Sequence, residues 1–453
     1  MNLASKLFKG DLVIWIIFMF LCLISAIEVF SASSTLAYKS ATHWEPIADH
    51  ATFLLGGCVL VLLLHNIHCR WYALLAGGAV VSAILLLLLL TRIPGLVVVI
   101  NGEPRWMNIG VTFQPSEIAK ITLMVYTAFI LSKRHWFTDK QMFWWIQGAA
   151  LVICGLIFFT NGSTAILLFS VIQMMAFFGQ ISLLRLLKFW GSLLLILIFA
   201  VSLLYFAPEP VMKRMPERVH TWRARIERFV DGTPPVKIES GKAVHIDGDD
   251  YQVVHGKIAI ARGGLWGKFP GHGQQRDFLP QAYSDFIYAI IIEEMGIVGG
   301  VFVLLLYIIL LVRVGMIARK CDKLFPKFLV LGCGLMLVVQ ALTNMAVAVD
   351  LIPVTGQPLP LVSRGGTSTV ISCAYIGIIL SVSRFGANMG NEEEEEEPAA
   401  DENPVGIEPD TDGHPIESGL ASVENGVETV DSDINPLEAV AELKEETTTE
   451  KNI

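Results

Sequence analysis

Charge is scarce along most of this chain, and where it is dense it has one sign. Asp, Glu, Lys and Arg make up 17% of the 453 residues against 53% hydrophobic ones, and the mean hydropathy is +0.58. That balance excludes an ordinary soluble domain of this length. Basic residues and aromatics all but vanish at the end. From Ala387 onward there are 21 Asp or Glu, including the run Glu392 to Glu397, but only Lys444 and Lys451 and no aromatic. Such a stretch cannot bury a core and is expected to be a disordered acidic tail. Taking it away leaves 31 basic and 21 acidic residues in 1–386, so the body carries +10 although the whole chain carries −9. Cysteine is sparse too. Its seven positions fall in or beside apolar segments, with no CxxC and none in the polar stretch 207–284. This argues against a disulfide framework or a zinc site. The first apolar run lacks a small-residue cleavage site, so no cleavable signal peptide is expected. Neither an internal repeat nor a soluble domain is evident, and nothing points to a nucleic-acid partner.

What remains is long apolar runs. A bilayer needs about 20 apolar residues per helix, and ten segments qualify, near 12–30, 49–65, 72–91, 116–132, 145–159, 163–179, 189–206, 286–312, 328–349 and 367–385. The expected fold is therefore an all-α polytopic integral membrane protein. Lys and Arg crowd one set of short loops, from Lys6 and Lys9 through Arg70, Lys133, Arg134, Arg185 and Arg313 to Lys327. The opposite short loops hold only Lys39, Arg92, Arg105 and Arg364. The positive-inside rule then places both termini in the cytoplasm. Of the segments that face out, three are of interest: 92–115, the long loop 207–284 between the seventh and eighth spans, and 350–366.

Each outer segment carries candidate chemistry beside a bland alternative. The first runs Asn101-Gly102-Glu103-Pro104-Arg105-Trp106, then Gln114-Pro115-Ser116-Glu117-Ile118-Ala119-Lys120. Pro115 suits a first helical position, Gln114 with Glu117 could cap the helix, and Glu117 could simply pair with Lys120 on one face. Ionisable groups inside a membrane helix also mark cavities. The two readings weigh about equally. In the second segment Asp285 stands where polar loop becomes apolar helix. The macrodipole alone would favour an acid there. A partly buried carboxylate at the membrane surface is also a stronger base, open to a lipid-borne substrate. Glu293 and Glu294 follow two turns deeper, to line a cavity or bond neighbouring helices. The third segment, Pro353 to Ser368, has three prolines within eight residues and ends on Ser363-Arg364-Gly365-Gly366. It cannot be a regular helix, and non-helical backbone at membrane depth must be buried in protein or line a wet cavity. Arg364 beside two glycines at a helix start suits an anion such as a diphosphate, or else snorkels.

Taken together and in order, these motifs resemble the SEDS family (shape, elongation, division and sporulation). They read NG-x-x-RW, QPSE-x-x-K, YQ, GG-x-x-GK, LP-x-x-x-x-DF, EE-x-G and P-x-x-G-x-x-LP-x-x-S-x-GG-x-S. The likeness covers 1–386 and leaves 387–453 as a cytoplasmic appendage. It implies a peptidoglycan glycosyltransferase that polymerises lipid II onto a nascent glycan strand at the outer face of the cytoplasmic membrane. The implied partner is a class B penicillin-binding protein with transpeptidase activity. By the same resemblance Asp285 is the catalytic base. Arg105, Glu117 and Lys120 belong to an outer-cavity motif, Arg225 and Gln252 are loop contacts, and Asp277 holds an acid position. Ser363 and Ser368 belong to the last motif, and Trp106, Gln357 and Arg364 complete the candidate substrate contacts.

Several positions depart from the family pattern: Gln281, Tyr283, Arg364, the turn Thr160-Asn161-Gly162-Ser163, and a loop extension at 231–250. The wording around Asp285-Phe286-Ile287-Tyr288-Ala289 and the long tail stand closer to the division branch than to the elongation branch, which implies a septal location and other division proteins as partners. No specific cofactor is indicated. A divalent cation, Mg2+ or Mn2+, could assist a diphosphate leaving group, though no dedicated ligand cluster is present. Two other readings fit the same residues: a lipid II flippase using Glu117, Lys120, Glu293 and Glu294 as a polar path, and a scaffold acting through tail and outer loop.

Overall fold

In the computed structural model the described residues are 8–32, 45–90, 97–100, 103–108, 112–205, 248–279 and 282–385. Arg225, most of the 231–250 extension and the whole tail from Ala387 lie outside them, as do residues 1–7. Helices occupy all ten expected segments: α1 (Leu12–Ala32), α2 (Glu45–Leu64), α3 (Cys69–Leu90), α4 (Pro115–Ser132), α5 (Asp139–Phe158), α6 (Gly162–Phe178) and α7 (Leu183–Tyr205), then, after an extra helix α8 (Gly248–Gly263), α9 (Ile287–Arg319), α10 (Leu324–Ala348) and α11 (Thr367–Phe385). Eight of them are at least 18 residues long and apolar enough to cross a membrane. The remaining two spans are α6, one residue short, and α4, which carries Glu117 and Lys120. The protein is an all-α polytopic membrane protein.

Local sequence explains the ends. Thr138 and Gln141 form a reciprocal capping box at the start of α5. Asn161 caps α6 by accepting from the Thr164 amide at 3.2 Å, which makes the α5–α6 hairpin tight. Pro115 sits at the start of α4 as its chemistry predicts, but the side chain of Gln114 makes no capping bond. α10 and α11 form the buried centre and α7 the periphery. α9 packs on α10 and α8, α4 lies between α3 and α10, and α11 packs on α2. All seven cysteines are free thiols.

Two features of the segments expected to face out were not foreseen. The first segment contains a small antiparallel sheet, β1 (Val97–Ile100), β2 (Glu103–Asn108) and β3 (Thr112–Phe113), with Val98 opposite Trp106 and Met107 opposite Phe113. The second contains α8. Neither shows a long apolar run, so a reading tuned to bilayer-length helices passes over both.

The third surprise is a break inside α9. Gly296 has φ +73° and ψ −178°, which divides the element into two half-helices. A break strands four backbone groups, and at this depth no water satisfies them. The segment after α8 does so instead. The amides of Lys268 and Phe269 donate to the carbonyls of Glu293 and Glu294 at 3.1 and 2.8 Å, while the amides of Ile297 and Val298 donate to the carbonyls of Gly264 and Leu265 at 2.9 and 3.3 Å. A Cβ on Gly296 would lie 2.3 Å from the Leu265 oxygen, so this close approach requires glycine.

Candidate functional site

Asp285 lies in the turn that feeds α9, 8% exposed. Three neighbours fix it. The Ser284 hydroxyl donates to its Oδ1 at 2.9 Å. The Asn344 side chain, from α10, donates from Nδ2 to the Asp285 carbonyl at 2.8 Å and to the Gln357 carbonyl at 2.8 Å. Gly356, with φ +66°, lies so close that a Cβ there would meet Asp285 Oδ2 at 3.6 Å. One amide therefore ties Asp285 to the proline-rich segment 353–366.

That segment is held from every side. Ser363 is 2% exposed; its hydroxyl donates to the Ser284 carbonyl at 2.7 Å and accepts from the Leu359 amide at 2.7 Å. The Arg364 amide donates to the Tyr283 carbonyl at 2.9 Å. Its guanidinium stands 5.8 Å from the Tyr283 ring centre and 3.4 Å from Asp49 Oδ2. Ser163 donates to the Thr355 carbonyl at 2.6 Å, and Gln357 Nε2 donates to Thr164 Oγ1 at 2.8 Å. The Tyr307 hydroxyl donates to the Pro360 carbonyl. Ser368, in the first turn of α11, donates to the Gly365 carbonyl at 3.0 Å. These bonds satisfy a non-helical backbone that would otherwise be costly at this depth.

Glu117 and Lys120 form a buried ion pair of 2.8 Å, with side-chain exposures of 8% and 1%. Lys120 also donates to Gln340 Oε1 at 3.4 Å, and Gln340 Nε2 donates to the Pro358 carbonyl at 3.0 Å. In this geometry the pair braces the same segment from beneath. Glu293 and Glu294, each fully buried, bond neighbours rather than lining a path. Glu293 accepts from the amides of Gln274 and Gln275, at 3.1 and 3.0 Å. Glu294 accepts from the Ser31 hydroxyl at 2.5 Å and the Gly271 amide at 3.1 Å, with Arg276 Nη1 at 3.6 Å.

Asp285, Gln357, Ser363, Arg364, Glu117 and Lys120 are thus joined in one network, with Ser368 at its edge. Asp277 is exposed in a 3-10 turn, 3.9 Å from Arg276 Nε. Gln252 is half-buried on α8, and Trp106 half-buried on β2. The side chain of Arg105 lies outside the described residues although its backbone is part of β2. Among the described residues no three His, Cys, Asp or Glu side chains are placed to hold a metal ion, and no step below is routed through one.

Sequence reasoning missed several residues that act on backbone. Asn344 and Gln340 sit in an apolar helix where an amide reads as a packing exception. Ser25 of α1 is fully buried and donates to the Val362 carbonyl at 2.8 Å; having spent its proton, it accepts from His50 Nε2 at 2.9 Å. Glu28, one turn on, is fully buried, and among the described residues neither carboxyl oxygen finds a hydrogen-bond partner. The one available signal was the period: Ser25, Glu28 and Ser31 share a face of an otherwise apolar helix.

Comparison with known proteins decides the family. Residues 11–388 match the family model described as Cell cycle protein, which covers FtsW, RodA and SpoVE. The chain belongs to this family. Among its relatives, the probable peptidoglycan glycosyltransferase FtsW of Hahella chejuensis is 31% identical over 77% of this chain and 83% of its own. That of Trichlorobacter lovleyi is 30% identical over 83% and 94%. Among solved structures, a chain of a peptidoglycan synthase complex superposes with a TM-score of 0.63 at 23% identity, over 83% of this chain and 98% of that one. The rod shape determining protein RodA of Thermus thermophilus gives 0.57 at 23% identity, over 83% and 97%. These two similarities establish the shared FtsW/RodA/SpoVE fold.

Proposed function

We propose that this protein is a peptidoglycan glycosyltransferase of cell division, polymerising lipid II at the outer face of the cytoplasmic membrane. The observation that carries the reading is Asp285: a carboxylate at the mouth of the bundle, locked by Asn344, Ser284 and Ser363 onto a non-helical segment. The FtsW relatives bear the same activity in their names. Asp285 takes the proton of an acceptor sugar hydroxyl as that oxygen attacks the anomeric carbon of the donor. The bond to undecaprenyl diphosphate breaks with its electron pair leaving on the diphosphate. General base assistance of this kind contributes roughly 10²–10⁴-fold. One displacement inverts the α-linked donor to a β-linked glycan. Arg364, at the segment that carries Ser363, is the cation best placed to meet the departing charge, and Arg105 and Arg225 are further candidates. Lys120, committed to Glu117 and Gln340, serves this reaction by bracing.

The body, 1–386, would carry the activity, and 387–453 would be a cytoplasmic tail with both termini inside. A class B penicillin-binding protein is the expected partner at the septum, a view supported by the similarity to a synthase complex that coordinates polymerization and crosslinking. The transport reading needs Glu293 and Glu294 on a polar path, and both are spent on loop amides. The test is lipid II polymerisation by purified protein, with and without that partner, beside Asp285→Ala. Strands from wild type and none from the variant are expected. Normal polymer from Asp285→Ala would remove Asp285 as base; vesicles that move lipid II without making polymer would replace catalysis by transport.

A further inference from the structure

At the end of the bundle opposite Asp285, a recess of about 380 Å³ opens between the start of α1 and the ends of α9 and α11. Three cations line it, Arg313, Lys320 and Arg384, against one anion, Asp11. Asp11 is already engaged twice. Its Oδ1 caps α1 by accepting from the Val13 and Ile14 amides at 3.0 and 3.2 Å, and its Oδ2 accepts from Arg313 Nε at 2.7 Å. Among the described residues the Nη nitrogens of Arg313 find no oxygen acceptor, Nη1 touching only the Met316 sulfur at 3.9 Å. Lys320 has no ion-pair partner among the described residues, and Arg384 donates to the neutral Asn66 Oδ1 at 2.6 Å. Cations near helix C-termini are ordinary, and here they offset the carbonyl ends of α9 and α11. Three of them around one recess, with the nearby acid neutralising a single charge, leave a surplus for an anion.

The polar recess does not stand alone. An apolar groove of about 640 Å³ runs along the exposed face of α1, through Phe8, Leu12, Ile16, Met19 and Leu23. Phe8 and Leu12 flank Gly10 and Asp11, which line the recess. A cationic cup thus adjoins an apolar furrow that points along the helix into the bilayer, which is the outline of one phospholipid with head and chain. The recess falls at the small end of ligand-pocket volumes, about 300–1,000 Å³, enough for a phosphoglycerol head but not for a disaccharide-peptide.

We propose that this recess binds one anionic phospholipid of the leaflet facing away from Asp285. The phosphodiester lies against Lys320, Arg384 and the free edge of Arg313, and an acyl chain lies along α1. A basic pocket between membrane helices has this preference on general electrostatic grounds.

The test is native mass spectrometry of the full chain extracted from vesicles of phosphatidylglycerol mixed with phosphatidylcholine. Wild type should retain one phosphatidylglycerol in preference to phosphatidylcholine. The pair Lys320→Gln with Arg384→Gln should weaken that retention about 25-fold, from roughly fivefold per cation. Arg319→Gln, an exposed neighbour outside the recess, should leave it unchanged. Thermal melting of all three keeps loss of fold apart from loss of lipid. Equal retention of both lipids by wild type, or equal losses in Arg319→Gln and the recess pair, would overturn the site in favour of bulk charge attraction. Glycerol 3-phosphate binding as tightly as the whole lipid would overturn the lipid as its source.

Discussion

Removing Lys120 and Glu117 singly and together separates bracing from substrate contact. The pair is buried, 2.8 Å apart, and reaches Pro358 through Gln340. Lys120→Met leaves a carboxylate facing protein with no counter-charge, and Glu117→Leu leaves an ammonium in the same state. Breaking a buried pair from one side costs about 3–5 kcal/mol, while replacing both members by apolar groups of similar size is often neutral. A weak Lys120–Gln340 bond of 3.4 Å adds at most about 1 kcal/mol to the lysine's share. Each single variant should therefore lose several kcal/mol and most of its polymerase activity. The double variant should recover to within about 1–2 kcal/mol of wild type, and its polymerisation rate should recover with it. Stability is read from denaturant or thermal unfolding in detergent, and activity from glycan strands made from lipid II. A double variant as stable as wild type yet as inactive as Lys120→Met would show that one of the two charged groups must reach the substrate. One no more stable than the singles would refute the energetic argument itself.

Other perturbations test other joints of the structure. Asn344→Asp exchanges the shared donor for an acceptor facing two carbonyls at 2.8 Å; the maximal rate should fall about 10²-fold through misplacement of Asp285, and an unchanged rate would remove Asn344 as a positioning residue. Gly296→Ala puts a Cβ 2.3 Å from the Leu265 oxygen at a left-handed φ, so it should cost at least about 3 kcal/mol and expose the 264–279 segment to protease. Glu28→Met should raise the melting temperature, because the carboxyl it removes has no hydrogen-bond partner among the described residues and such burial costs about 1–3 kcal/mol. Burial pushes the Cys321 thiol up to about 12. A variant keeping only that cysteine should react with maleimide at pH 8 about a thousandfold more slowly than an open thiol, and should speed up only as pH climbs toward that value.

The membrane spans were legible because each buried or lipid-facing helix must be apolar for about 20 residues. The same criterion hid α8, whose Gly248–Gly263 sequence is polar, and the short strands around Trp106. Asp285 was legible as an ionisable residue at a loop–helix junction, and its motif carried the family likeness. The break in α9 was not. Glu293-Glu294-Met295-Gly296 reads as continuous helix, and a glycine costs a helix only about 1 kcal/mol. What decides the break is the segment Gly264 to Phe269, roughly thirty residues earlier, whose backbone supplies the missing partners. Sequence spacing cannot reveal such pairing.

The polar residues of this bundle divide by what they bond. Glu117 and Lys120 look like a cavity on a hydropathy plot, and Glu293 and Glu294 like a path. In the folded chain all four are spent on irregular backbone or on each other. Backbone that departs from a helix within a bilayer must be satisfied by protein, and this chain departs at Gly296 and along 353–366. Ser25, Ser163, Tyr307, Gln340, Asn344 and Ser363 each spend a side-chain donor on a carbonyl of the second departure or of Ser284 and Asp285 beside it. These six, with Ser368 on the Gly365 carbonyl and Thr369 on the Ser363 carbonyl, offset the cost of an unwound segment at membrane depth. What it secures is a carboxylate whose own carbonyl, and that of the residue before it, cannot shift without breaking a buried bond.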